Sequence, residues 1–257
     1  MKLEEQIVLV TGGSRGLGAE IVRSFAREGA TVVINYFKNA EKASEIAAEV
    51  ASLNGGKVLT VAGDIRSKEA MEALFATAQA HFGTPITTIV NNALVDFKFD
   101  PINRKDAANI GWADFLSQLE GAIQGSLNTI QAGMPGMIAQ GFGRVINIGT
   151  NLVQNPVVAY HDYNSAKSAL LSFTRNMAKD LGIKGITVNM VSGGLLETTD
   201  ASSATSPEIF EIIKQNTPLG RVTTPAEVAD TVLYFASPWS RGVTGQNIMV
   251  DGGLVMN

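Results

Sequence analysis

The chain has 257 residues, a net charge of −4, 45% hydrophobic and 17% charged residues, two histidines and no cysteine. This composition supplies a large core and argues against disorder, and the lack of cysteine excludes disulfide frameworks, thiol catalysis and cysteine metal sites. Lys and Arg are scattered and no apolar run nears the ~18–20 residues of a bilayer span, so neither a nucleic-acid footprint nor a membrane segment is expected.

The opening MKLEEQIVLV has no basic leader and runs straight into a short apolar stretch, which predicts a cytoplasmic protein. Residues 7–10 read as a strand buried on both faces. A helical pattern follows over 16–27, closed by Gly29. Then come a strand at 31–34, a helix at 40–53 stopped by Asn54-Gly55-Gly56, a strand at 57–62, a helix at 67–82 and a strand at 88–90. Further strands are expected at 144–148, 187–191 and 247–250, with a long helix around 163–181. Seven strands alternating with helices predict one α/β domain over residues 1–257: a Rossmann-type, doubly wound, mostly parallel sheet flanked by helices. Two stretches break the rhythm, about 94–111, polar and irregular, and about 193–218, rich in Ser, Thr and Gly. In such folds ligands bind beyond the carboxyl ends of the strands, so these are either substrate loops or plain surface connections.

Directly after the first strand stands Thr11-Gly12-Gly13-Ser14-Arg15-Gly16-Leu17-Gly18, where a helix opens. Glycine lets backbone turn sharply and approach a pyrophosphate, and the helix N-terminus offers free N–H groups. The spacing of Gly12, Gly16 and Gly18 differs from the common G-x-G-x-x-G, and alone it also fits a tight turn with no ligand. An NAD site wants a carboxylate at the end of the second strand. Here that end reads Asn35-Tyr36-Phe37-Lys38, with Arg15 in the turn itself, a pattern that favours NADP(H) over NAD(H).

Tyr163-Asn164-Ser165-Ala166-Lys167 sets a phenol and an ammonium four residues apart on a predicted helix, hence on one face. A cation there is expected to lower the phenol's pKa and let it serve as a proton donor near neutral pH. The spacing by itself also describes an ordinary solvated helix face.

Five segments in order change that reading: the turn 11–18, Gly63-Asp64-Ile65, Asn91-Asn92-Ala93, the Tyr163–Lys167 pair and Asp251-Gly252-Gly253. Together they resemble the short-chain dehydrogenase/reductase family over about residues 7–253. Thr217-Pro218-Leu219-Gly220-Arg221 and Val243-Thr244-Gly245-Gln246 look most like its 3-oxoacyl-(acyl-carrier-protein) reductase branch, which belongs to fatty acid biosynthesis. The resemblance implies Tyr163 as general acid, Lys167 tuning it and holding the nicotinamide ribose, and Thr150 in place of the usual serine, bonded to the substrate carbonyl. It implies that Gly12, Ser14, Arg15, Gly16, Leu17 and Gly18 cradle the cofactor phosphates. Asp64 and Ile65 would flank the adenine, Asn92 and Ala93 would line the cofactor channel, and Leu196 and Thr198 would meet the carboxamide and phosphates. The implied substrate is a small carbonyl compound or an acyl thioester, with acyl carrier protein as a partner. The implied assembly is a homotetramer or homodimer built through helices around 114–137 and 160–181.

The chain departs from the family pattern at three places. Leu94 stands where glycine is usual after Asn91-Asn92-Ala93, Gly193-Gly194 replaces Pro-Gly, and the catalytic asparagine of the mid-chain helix falls on Ala122. Asn109 and Asn128 are the nearest replacements, neither in register. These losses carry the rival reading, a cofactor-binding regulatory or scaffold protein with weak or no turnover. No metal is expected from two histidines and scattered aspartates.

Overall fold

The computed structural model describes residues 1–197, 199, 202 and 205–256. Seven strands form one parallel sheet in the order β3-β2-β1-β4-β5-β6-β7. They are β1 (Ile7–Val10), β2 (Thr31–Tyr36), β3 (Val58–Ala62), β4 (Thr88–Asn91), β5 (Gly143–Thr150), β6 (Ile186–Gly193) and β7 (Asn247–Val250). The expected architecture is therefore observed. The sequence reading ended the long strands too early: β5 runs on to Thr150 and β6 to Gly193 because the two pair over eight consecutive residues, to Thr150 beside Gly193. The backbone ladder thus continues past the apolar run, and Thr150 belongs to the strand.

Helices α1 (Gly16–Arg27), α2 (Ala40–Asn54) and α3 (Lys68–Phe82) connect the first four strands. Between β4 and β5 the chain forms α4 (Trp112–Leu119), a π-helical turn (Glu120–Gln124) and α5 (Gly125–Gln140) without a break. α6 (His161–Leu181) precedes β6, and α7 (Pro207–Asn216) and α8 (Pro225–Ala236) precede β7. One apolar layer packs α1 and α8 against the sheet through Val22, Phe25, Val232 and Phe235. The other sets Met71, Phe75, Ile130 and Met137 against Leu9, Ile89 and Val188. Strands buried on both faces need this double cover.

The strand order reverses between β1 and β4, and crevices form at such switch points. Beneath it a buried polar network ties four elements together. Asn91 Nδ2 donates to Asn147 at 2.9 Å, Thr129 Oγ1 donates to Asn91 at 2.7 Å, and Asn147 Nδ2 donates to Thr174 at 2.8 Å. Every partner is satisfied, so the network fixes the depth at which β4, β5, α5 and α6 meet.

Candidate active site

The glycine turn lies between β1 and α1, at the switch point. Gly12 and Gly16 have φ of +62° and +52°, a region that favours glycine. A Cβ on Gly18 would collide with the Gly12 carbonyl oxygen and come within 2.6 Å of Asn92 Nδ2, whereas Gly16 has room among the described residues, its nearest neighbour there 3.9 Å away. α1 starts with no side-chain cap at Arg15, so its first N–H groups are not satisfied in that way. Asn92 acts here as a strap: its Nδ2 donates to the carbonyls of Thr11 (2.9 Å) and Gly12 (3.3 Å). Thr11 Oγ1 in turn accepts from the backbone N–H groups of Asn92 and Ala93. Ser14 is buried beside them and Leu17 packs on the adjoining core.

Asp64 lies at the next strand end, but its carboxylate is held by Arg66, Nη2 to Oδ2 at 2.7 Å, which keeps its pKa below the usual carboxylate range. Lys38 stands near enough to act in the same direction. Ile65 is buried under Gly125, where any side chain would strike it. Asn35 spends its amide on the Gly63 carbonyl at 3.0 Å, so the end of β2 presents no carboxylate. Leu196 forms a bridge with Thr223 and packs on the core, while Thr198 lies outside the described residues.

Tyr163 and Lys167 share the inner face of α6 and are 5% and 6% exposed. Lys167 Nζ lies 5.8 Å from the centre of the Tyr163 ring and donates to the Ile148 carbonyl at 2.6 Å. The Thr150 hydroxyl, also buried, lies near enough to the Tyr163 side chain to oppose the rise of its pKa. The expected lowering of the phenol's pKa does not occur. Burial pushes Tyr163 above its ordinary value, and the Thr150 hydroxyl opposes this only in part. The ammonium is itself buried and drawn down to about 8 by desolvation.

Ala122 lies in the π-helical turn and lines two small crevices together with Ala93, Gly121 and Lys167. Neither candidate replacement asparagine reaches them. Asn128 Nδ2 is buried on the Ile65 carbonyl at 2.9 Å, and Asn109 accepts from Asp106 N–H in the loop. Leu94, 37% exposed, lines one crevice with Tyr163. The Gly193-Gly194 pair divides in role. Gly193 has room for a side chain, while a Cβ on Gly194 would sit 2.9 Å from that of Asp251, whose carboxylate accepts from Asn151.

The stretch read as polar and irregular carries the largest surprise. Along Val95–Asp96–Phe97–Lys98–Phe99 the residues turn alternately inward and outward. Phe97 stacks on the Tyr163 ring at 4.6 Å and 18°, and Phe99 meets it edge-on at 5.2 Å. Tyr160 completes the cluster, 5.4 Å from Phe97 and 5.8 Å from Phe99. Its pKa is pushed up to about 12, chiefly by burial, with the Asp100 charge adding to it and Arg104 opposing. The alternation of Val95, Phe97 and Phe99 was the available signal, masked by the charges between them.

A family model described as enoyl-(acyl carrier protein) reductase matches residues 12–255. The 3-oxoacyl-(acyl-carrier-protein) reductase FabG of Aquifex aeolicus (strain VF5) is 32% identical over 254 residues, 99% of each chain. Among solved structures, gluconate 5-dehydrogenase of Burkholderia cenocepacia J2315 with NADP and tartrate superimposes with a TM-score of 0.88 at 28% identity, covering 98% of this chain and 96% of that one. A 7α-hydroxysteroid dehydrogenase with NADH and 7-oxo glycochenodeoxycholic acid gives 0.89 at 32%, covering 98% and 95%. These relatives act on chemically unlike compounds, yet the match to each spans the whole fold, and the chain belongs to the short-chain dehydrogenase/reductase family of oxidoreductases.

Proposed function

We propose that this chain is a nicotinamide-dependent carbonyl reductase in which Tyr163 protonates the oxygen of a ketone or 3-oxoacyl thioester. The observation that carries the reading is the convergence of Tyr163, Lys167 and Thr150, buried together at the carboxyl end of β5 next to the switch point. Its raised pKa keeps Tyr163 a phenol at neutral pH, the form needed to give up a proton in the reductive direction. Thr150, buried beside it, can donate to the same carbonyl oxygen. Lys167, held on the Ile148 carbonyl and with its proton bound less firmly than in water, is placed to restore the phenol.

The residues present fit a dinucleotide. The turn 11–18 is an open cradle at Gly16, with helix N–H groups behind it and Asn92 holding its shape. Gly12, Ser14, Arg15, Gly16, Leu17 and Gly18 would hold the phosphates, Asp64 and Ile65 the adenine side, Ala93 and Leu196 the channel. The bound cofactor supplies the hydride. Lys38 near Asp64, and the lack of a carboxylate at the end of β2, support NADP(H) over NAD(H). Acyl carrier protein as substrate donor, a dimer or tetramer through α5 and α6, and residence in the cytoplasm belong to the same reading. Among the described residues no helix is long and apolar enough to cross a membrane.

The second reading, a cofactor-binding protein with little turnover, draws on Ala122 at the crevice and on Phe97 lying over the phenol. NADPH oxidation with acetoacetyl thioesters and a ketone panel, run beside Tyr163→Phe, decides between them. Turnover abolished by the substitution supports the reductase. Tight NADPH binding with no turnover on any carbonyl supports the binding protein, and tighter NADH than NADPH binding overturns the cofactor preference.

A further inference from the structure

Tyr163 is almost fully buried, and what covers one face of its ring is Phe97. A group bound on that face of the phenol therefore takes the place of Phe97. Whatever displaces Phe97 inherits its surroundings: the edge of Phe99 and the Tyr160 ring. Several polar side chains of the loop are already committed. Arg104 donates to the Ala159 carbonyl at 3.2 Å, Asp100 accepts from the backbone N–H groups of Ile102 and Asn103 and from Asn103 Nδ2, and Lys105 pairs with Asp114. Against the rings of Phe99, Tyr160 and Tyr163 a polyhydroxylated or carboxylated group would exchange its water for apolar contacts. An apolar group replaces the stacking contacts it removes.

We propose that Phe97 and Phe99 set the substrate class, selecting carbonyl compounds whose flanking group is an aromatic ring or hydrocarbon chain that takes Phe97's place against Tyr163. The displacement has a natural pivot. Asp96, immediately before Phe97, sits at φ 45°, in the left-handed region, and pairs with Arg66 at 3.6 Å, which leaves the loop tethered on the cofactor side while the ring swings. This inference rests on the reductase reading, and it separates the relatives: a steroid or acyl chain suits the pocket, a sugar acid does not.

The test compares NADPH-dependent reduction of 1-phenylpropane-1,2-dione, butane-2,3-dione and 5-ketogluconate by the native chain, Phe97→Ala, Phe97→Leu and Phe99→Ala. The native chain is expected to favour the phenyl dione over butanedione by about tenfold or more in kcat/KM, with 5-ketogluconate the poorest. Phe99→Ala, which removes a wall of that place, should cut that ratio at least fivefold, whereas Phe97→Ala, which vacates the place, should raise kcat/KM for both diones and keep the phenyl dione preferred, with Phe97→Leu intermediate; taking the ratio between variants cancels the intrinsic reactivity of the two diones. Should Phe97→Ala fail to fold, Phe97→Leu and Phe99→Ala carry the comparison. Turnover with an unchanged ratio in all variants, or a preference for 5-ketogluconate, overturns the inference and leaves the reductase standing. Calorimetric binding of the phenyl dione that Phe99→Ala removes, with no turnover of any carbonyl, upholds the recognition and overturns the reductase reading.

Discussion

The two halves of the candidate site are built from different materials. The dinucleotide side is backbone: glycines at close approach, helix N–H groups, and Asn92 bonded to the carbonyls of the turn it straps. The carbonyl side is side chain: a phenol, an ammonium and an aromatic cluster on a loop anchored by a few surface bonds. A backbone cradle tolerates almost no substitution, because shape rather than residue chemistry does the binding. A side-chain pocket can be refitted one residue at a time. This difference explains how relatives with one architecture are named for a thioester, a sugar acid and a steroid.

The largest effect is expected on the carbonyl side. Tyr163→Phe removes the proton donor and should lower kcat about 10²–10⁴-fold, with NADPH affinity and thermal midpoint near those of the native chain. Turnover kept within tenfold would show that another group gives the proton. On the dinucleotide side, Gly18→Ala forces a methyl into the Gly12 carbonyl and the Asn92 amide. Overpacking of that kind costs about 1–3 kcal/mol, read as a lower denaturant midpoint, and NADPH binding followed by fluorescence should weaken with it. If Gly18→Ala binds NADPH normally, the contrast between a rigid cradle and an adaptable pocket breaks down.

Much of the first half was legible and much of the second was not, for a physical reason. Parallel strands buried on both faces and glycine turns leave local marks, so the seven strands and the turn 11–18 could be read directly. The i,i+4 spacing placed Tyr163 and Lys167 on one face correctly. What went unread depends on contacts between distant segments. Lys167 finds its carbonyl on β5, Phe97 finds its ring on α6, and Asn92, expected to line the cofactor channel, bonds back to the glycine turn. The phenol's shift was misjudged for the same cause. Spacing shows that a cation is near, but desolvation depends on everything else packed around the pair.

Burial of the ammonium sharpens the contrast through pH. Lys167 has a folded pKa of about 8 against an ordinary lysine value of 10.5, so between those values the unfolded chain binds the extra proton. Stability then rises with pH through that window, by at most about 1.4 kcal/mol per pH unit, and the full penalty of the buried charge is felt below pH 8. Lys167→Met removes the titration. The native-minus-variant difference in unfolding free energy should climb from pH 8 to about 10.5 and lie flat below. A flat difference throughout would mean that the ammonium is solvated and the pocket more open than its packing indicates.

The smallest effect expected lies away from both halves, at the N-terminus of α8. There Glu227 accepts from Arg221 Nη1 at 2.7 Å and from Thr224 N–H at 2.9 Å, while the Thr224 hydroxyl caps the helix in return. The guanidinium is the main cause that holds Glu227 down at about 2, against an ordinary glutamate value of 4.5. A carboxylate depressed in the fold stabilises it fully above the unfolded value and loses that contribution as the pH falls through the folded one. The pair is half open to water, so screening limits its worth, and Glu227→Gln should cost only about 0.5–1 kcal/mol at pH 7. That cost should fade between pH 4.5 and 2, with carbonyl reduction and NADPH binding untouched. A loss of cofactor affinity in Glu227→Gln would instead join α8 to the dinucleotide cradle through Thr223, the bridge partner of Leu196.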